Sequence, residues 1–390
     1  MKQKILMACA AMCIACTMDA ASIDSVLHCI EQNNIELKAL KKDYEAGCLE
    51  IKSQNNLEDP SVEYSPFFNK AVNGVASSEL VVSQGFDFPT VYAARTKSGR
   101  LQQEVLRQEY NKSRRDILFN AKTLCLDFIM QTKKKTLLKK RGDNALRLLQ
   151  MYEKRLEDGN ANILEVNKIK MDLMNVRTEI AQAEAERIAT INSLSALNGN
   201  SPLPLNGMEY PATTDGDGET LLQNALNNDN DIHAAAASAK ASEQDVKVNK
   251  QNWMPKLQVG YRRNTDGSDA SNGFLVGASF PLFSSRNKTK AAKAKMENAR
   301  LNLENTKAMA ENGIKTKIQQ MKQLKQAAQA YDEDLMIETL RLLDKAVESG
   351  QISIVEYYSE ADVIYRNLQA SIEAERQYQG VMADICKNDI

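Results

Sequence analysis

The chain has 390 residues, with 50 basic against 51 acidic side chains and a formal net charge of −1 at pH 7. That balance excludes the basic excess by which a nucleic-acid binder holds phosphates, so no nucleic-acid partner is expected. Aromatics at 6% and a negative mean hydropathy argue against a thick globular core and for long, solvated helices.

At the start of the chain, Lys2 and Lys4 precede an apolar run from Ile5 to about Met18 and then Asp19-Ala20-Ala21-Ser22. This is the pattern of a secretory signal peptide over residues 1–21, and the run is too short to span a bilayer as a helix. Cys13-Ile-Ala-Cys16 lies inside the apolar run, which argues against a redox or metal pair. A lipoprotein signal cleaved before Cys16 is the competing reading, with Cys13 rather than Leu at the third position before it. Either way the mature chain is exported. Cys29, Cys48, Cys125 and Cys386 form no disulfide framework: Cys29 and Cys48 on one helix would lie about 28 Å apart. Thiols are expected, with a Cys29 to Cys386 bridge as the alternative.

The prolines organise the rest of the chain. Around Pro60 and Pro66 the chain alternates Val62 and Tyr64 with Ser61, Glu63 and Ser65; further on, Leu80, Val82, Phe86 and Phe88 alternate with Glu79, Ser83 and Asp87. Two strands with one oily and one polar face are predicted, at about 60–68 and 79–88, joined near Asn73-Gly74. Phe88-Pro89 then leads into Arg95 and Thr96-Lys97. No proline follows until Pro202, and Ile169, Leu173, Val176, Ile180 and Ala183 step by four and three, as in a coiled coil. After a turn-rich linker from Asn198 to Glu219 the series repeats. Leu257, Val259 and Tyr261 oppose Gln258, Gly260 and Arg262, and Phe274, Val276, Ala278, Phe280 and Leu282 oppose Leu275 and Ser279, predicting strands at about 255–263 and 273–282. Phe280-Pro281 leads into Arg286 and Thr289-Lys290. A second proline-free window carries Met336, Leu340, Leu343 and Val347 at helical spacing.

Each half therefore reads helix, strand, strand, long helices. Lys154 to Val166 aligns with Lys345 to Tyr357, placing Gly159 on Gly350 and Glu165 on Glu356, so residues 22–201 and 202–390 read as two copies of one unit. The fold class is mainly α with a small β part. Four strands cannot close a barrel, and an open apolar sheet would leave unpaired edges in lipid. Three chains would supply twelve strands, an even number within the outer-membrane range. Phe88, Pro89, Trp253, Pro255, Phe280 and Pro281 then mark the junction where each membrane strand gives way to helix, with aromatics at the interface.

The order of elements, NWMPKLQVGY before the third strand, FPLFSSRNK after the fourth and the paired helical turns around Gly159 and Gly350 resemble the TolC-like outer-membrane efflux proteins across essentially the whole mature chain. SQGFDFPTVYAAR is more similar to the branch paired with heavy-metal-type resistance-nodulation-division pumps. The resemblance implies a homotrimeric channel in the bacterial outer membrane with a large periplasmic part. Its twelve-stranded barrel would continue as an α-helical barrel, meeting a periplasmic adaptor and an inner-membrane pump for which it is the passive exit duct. The alternative reading is a soluble periplasmic coiled-coil adaptor or scaffold whose oily strand faces pack on themselves.

Gly159 and Gly350 read as helix ends, and Asn162-x-x-Glu165 and Ser353-x-x-Glu356 as capping boxes that start the next helix. Gly159, Asn160, Asn162, Gly350, Gln351 and Ser353 are the expected adaptor-docking tips. Glu165 and Glu356 are caps that the resemblance also makes candidates for an acidic gate, although Lys168 and Ser359 stand one turn on where the family pattern has room for a second acid. No HExxH, GxSxG, P-loop or dinucleotide fingerprint occurs, so no enzyme activity, cofactor or metal site is expected. His28 and His233 read as surface residues, and Met171, Met174 and Met254 as packing residues.

Overall fold

The computed structural model describes residues 22–69, 74–212, 217–281, 283 and 286–390. The expected leader at 1–21 lies outside them, as do Asn73 and Leu282. The chain is mostly helical, with one small sheet. In order, the elements are α1 (Ile23–Asn33), α2 (Ile35–Ser53), β1 (Ser61–Phe68), β2 (Val75–Phe86), α3 (Pro89–Glu157), α4 (Ile163–Leu197), α5 (Gly218–Asn227), α6 (Asn230–Lys250), β3 (Lys256–Asp266), β4 (Asp269–Ser279), α7 (Lys288–Gln329), α8 (Glu333–Glu348) and α9 (Ile354–Ile385). They form two compact units: one takes residues up to Ile35 with Asn120–Asp215 and Gln323–Ala383, the other takes Glu36–Phe119, Gly216–Lys322 and the C-terminus from Asp384.

In the first unit Ser22 caps α1 by accepting from the Ser25 amide at 3.1 Å. Ile169, Leu173 and Val176 of α4 are buried as the stepping predicts. Leu148 and Tyr152 of α3, Val166 and Ile169 of α4, Val347 of α8 and Ile354, Tyr357 and Tyr358 of α9 close into one cluster. Each large member contributes about 1.5–3 kcal/mol of burial. Cys29, Cys48, Cys125 and Cys386 are thiols. Cys125 is fully buried, and burial pushes its thiol up to about 12.

The two proline-free windows differ. The first carries α3 without interruption over 69 residues. The second is broken between Gln329 and Glu333, where the Asp332 side chain accepts from the Leu335 amide at 2.9 Å and starts α8 afresh. An aspartate inside a helical pattern competes for backbone donors, and here it wins.

In the second unit the sheet is antiparallel throughout, in the order β1-β2-β3-β4. Its strands depart from the sequence reading at their ends. β2 begins at Val75 and stops at Phe86, leaving Phe88 outside; β3 runs on to Asp266; and β4 starts at Asp269 after a two-residue turn in which Gly267 takes φ of 59°. The extra residues, such as Ser77, Ser78, Asn264 and Ser271, carry no oily alternation and are held by their ladder partners. The helical part is tied by Arg115, whose buried guanidinium reaches Asp231 at 2.7 Å and Asn388 at 3.1 Å.

Candidate functional site

The sheet has two unlike faces. Val62, Val82, Tyr261 and Phe274 are successive cross-strand partners and form a row across all four strands. Leu257 and Phe86, then Val259 and Val276, continue that face toward the helices. Apart from the half-buried Phe86 these side chains are open to their surroundings, Phe274 at 94% and Val276 at 83% exposure. The other face is polar: Ser61 and Ser83 share a hydrogen bond of 2.8 Å, Gln258 donates to the Ser83 hydroxyl at 2.8 Å, and Arg262 pairs with Glu79. Among the described residues β1 pairs only with β2 and β4 only with β3, so both outer strands keep an open edge.

The junction residues sit where strands give way to helices. Pro89 is the first residue of α3, where a missing amide costs nothing, and the Phe88 carbonyl accepts from the Val91 amide at 2.8 Å. Arg95 reaches back to Asp87 at 2.5 Å and the Tyr92 hydroxyl accepts from the Asp87 amide at 3.1 Å, fixing the angle of entry. Pro281 is different: the chain runs on to Asn287, in the left-handed region at φ 65°, before α7 starts at Lys288. Pro255 ends the turn before β3, and Trp253, Phe280 and Phe283 are exposed. A cleft of about 440 Å³ lies here, lined by Asp87, Arg95, Met254, Lys256 and Phe280 among others.

The helical turns of the first unit share one geometry. Gly159 and Gly350 both take φ of 74°. The Asn160 amide donates to the Arg155 carbonyl and the Gly159 amide to that of Leu156; Gln351 and Gly350 do the same to Ala346 and Val347, a Schellman ending in each case. Asn162 and Glu165 exchange both capping bonds at 3.0 and 2.7 Å, and Ser353 and Glu356 do so at 3.2 and 2.8 Å. Bonds from the Ser353 backbone amide and side chain hold the Glu356 carboxyl below the usual carboxylate range. The structure brings the two turns together, because Arg155 donates to the Glu348 carbonyl at 2.5 Å and Arg147 pairs with the Glu348 carboxylate.

Above the turns lie polar groups that the sequence reading missed. Arg141 of α3, stacked on the Tyr365 ring, donates through one nitrogen to Asp172 of α4 at 2.5 Å and Asp362 of α9 at 2.7 Å. Burial pushes the Asp172 carboxyl up against the pull of Arg141. Asn144 donates to Asp344 at 2.9 Å and to the Tyr357 hydroxyl at 2.6 Å. One signal was available: Asp172 stands between Ile169 and Val176 on the apolar stripe of α4, where a solvated acid does not belong. His28 and His233 are exposed, as are Met171 and Met174, while Met254 is half-buried in the junction cleft.

A family model described as outer membrane efflux protein matches residues 27–200 and 221–384. The chain belongs to that family. This efflux protein shares its fold with solved structures at low identity. A membrane protein of Pseudomonas aeruginosa is 16% identical with a TM-score of 0.75, over 94% of this chain and 93% of that one. The outer membrane protein VceC of Vibrio cholerae is 14% identical with a TM-score of 0.72, over 94% and 95%. The CmeC outer membrane channel of Campylobacter jejuni is 14% identical with a TM-score of 0.75, over 94% and 85%. No curated protein matches the chain. Membership makes it an outer-membrane protein of efflux, in a family of channels rather than enzymes, and the soluble adaptor alternative finds no support. Among the described residues no helix is long and apolar enough to cross a membrane.

Proposed function

We propose that three copies of this efflux protein assemble into the exit duct of a tripartite efflux system. Their twelve strands close a barrel in the outer membrane, and their helices continue it as a helical barrel in the periplasm. The observation that carries this reading is the sheet: four strands, two open edges and one apolar face exposed along its length. Within a barrel of three copies each open edge finds a partner, the apolar face meets lipid, and the Arg262-Glu79 face lines the water-filled duct. Phe88, Pro89, Trp253, Pro255, Phe280 and Pro281 stand at the inner membrane boundary, where the exposed rings of Trp253 and Phe280 belong. Residues 1–21 are the export signal, and 22–201 and 202–390 the two copies of a duplicated unit, which is why the Schellman turn and capping box occur twice.

The periplasmic adaptor, and through it the inner-membrane pump, docks on the turns at Gly159, Asn160, Asn162, Gly350, Gln351 and Ser353. The carboxylates of Glu165 and Glu356 form the acidic gate and attract cations to the mouth. The test is assembly. Chemical cross-linking and native mass spectrometry of protein extracted from the outer membrane should give a trimer that survives mild detergent and dissociates on heating. A monodisperse monomer, or cross-linking that stops at a dimer, would refute the twelve-stranded barrel.

A further inference from the structure

Neighbouring arginines in β3 point to opposite faces of the sheet and have different fates. Arg262 lies on the polar face and pairs with Glu79. Arg263 lies on the apolar face, in the row Tyr64-Leu80-Arg263-Asn272, directly beyond the row Val62-Val82-Tyr261-Phe274. Its side chain is exposed and makes no ion pair or hydrogen bond among the described residues. Beside it, the Tyr261 hydroxyl donates to the Asn272 side-chain oxygen at 2.6 Å, and the Asn272 amide nitrogen has no partner among the described residues. Arg263 and Asn272 thus stand where the oily surface gives way to a polar one, Ser78 and Thr265 lying in the next row of the same face.

A guanidinium on a lipid face is costly unless it reaches the headgroup layer. The distances bring it there. Phe280, the exposed aromatic just past β4, marks the inner boundary, and Asn272, the partner of Arg263, lies about 27 Å further along the strand. At the tilt of 35–45° usual in such barrels this is about 20 Å of height, against an apolar band of about 25 Å. Arg263 can therefore extend to the outer headgroups, where phosphates offer its planar fork a charged, bidentate acceptor.

We propose that Arg263, with the Asn272 amide beside it, is a docking site for the phosphate headgroup of an outer-leaflet lipid, one on each copy of the chain. The proposal rests on the reading that the apolar face meets lipid, and its test keeps the two apart. Full-length trimer in mild detergent is titrated with diphosphorylated lipid A, and bound lipid is counted by native mass spectrometry. Arg263→Gln should weaken binding roughly fivefold, the value of one interfacial cation, and Arg263→Lys, which keeps the charge and loses the fork, should restore part of it. Arg262→Gln removes the same charge from the opposite face and should change nothing. Dephosphorylated lipid A should bind wild type as weakly as the phosphorylated form binds Arg263→Gln.

Equal binding by wild type and Arg263→Gln overturns the proposal. So does displacement of lipid A by an equal concentration of inorganic phosphate, which would reassign the site to a free anion. Nitroxide labels at Val259 and Val276 in reconstituted vesicles separate the failures. If they collide with oxygen rather than a water-soluble nickel chelate, the lipid face stands and a negative titration sinks the phosphate site alone. If they report water, the lipid face itself is wrong and the proposal falls with it.

Discussion

The Tyr357 hydroxyl donates to Asp344 Oδ1 at 2.8 Å, joining α9 to α8, and receives a hydrogen bond from Asn144 of α3 at 2.6 Å. Tyr357 is 1% exposed, so its hydroxyl has no access to water as a substitute partner. Tyr357→Phe leaves Asp344 with a weaker cage and should cost about 1–3 kcal/mol, the usual loss for a buried bond to a charged acceptor. Hydrogen exchange in α8 and α9 is the measurement. Protection there should fall while the sheet stays as protected as in wild type.

At Gly350 an added Cβ meets nothing within 4 Å among the described residues, so the cost of a side chain is conformational rather than steric. Gly350→Val should cost about 1–2 kcal/mol through the left-handed backbone alone, whereas Gly350→Asn should be milder because asparagine visits that region. Trimer formation and membrane insertion are expected to survive. Efflux and adaptor capture in pull-down should fail for the valine variant and largely recover for asparagine. Normal pumping by Gly350→Val would move partner docking away from these turns.

Glu356 separates capping from charge. Glutamine completes the capping box without the carboxylate, so Glu356→Gln should keep the hairpin and reduce single-channel cation selectivity. The pH dependence has a definite sign. The folded pKa of Glu356 is lowered, so its carboxylate stabilises the fold above the ordinary glutamate pKa of about 4.3, and this contribution is lost as pH falls through the lower folded value. Selectivity carried by Glu356 should therefore outlast the pH at which a free glutamate titrates, and be lost only as pH falls through the lowered folded value. Selectivity unchanged in Glu356→Gln would make this residue a cap only.

Val276 and Gln258 test the two faces of the sheet. If the proposed barrel places Val276 at mid-bilayer, Val276→Arg should cost about 2–4 kcal/mol, and Gln258→Arg, one register position away on the polar face, should be tolerated. The temperature at which the trimer dissociates on a gel, compared at equal lipid and detergent, reads the difference. Equal losses at both positions would contradict the assignment of faces.

Strand faces and helix ends were legible in the sequence because each is a local pattern. Oily residues at every second position fixed which side of β3 carries Val259, and a glycine followed three residues later by Asn162-x-x-Glu165 fixed the turn. Strand ends were less legible: Ser77, Asn264 and Ser271 are strand residues only because a partner strand completes their ladder. The break before Asp332 was hidden in a window without proline, since a capping aspartate looks like any other solvated acid until its amide partner is seen. Arg141 was harder still. It stands in a run of lysines that reads as a wet surface, and the acids it joins, Asp172 and Asp362, are far from it in the chain and from each other.

The pairing of β2 with β3 has a consequence for biogenesis. Each hairpin can close as soon as its own two strands are available, but Val82 must find Tyr261 across a very long intervening stretch of chain. Closing so large a loop is entropically costly and slow, and it cannot begin until the second hairpin has been delivered across the inner membrane. During that interval the first hairpin waits with Val62 and Tyr64 uncovered and both edges unmade, a state that invites pairing with the wrong strand. A periplasmic holding chaperone that shields β1 and β2 until β3 arrives would be most needed at that moment, and a pause in export between the two hairpins should lengthen the exposure and raise the fraction of chain lost to aggregation.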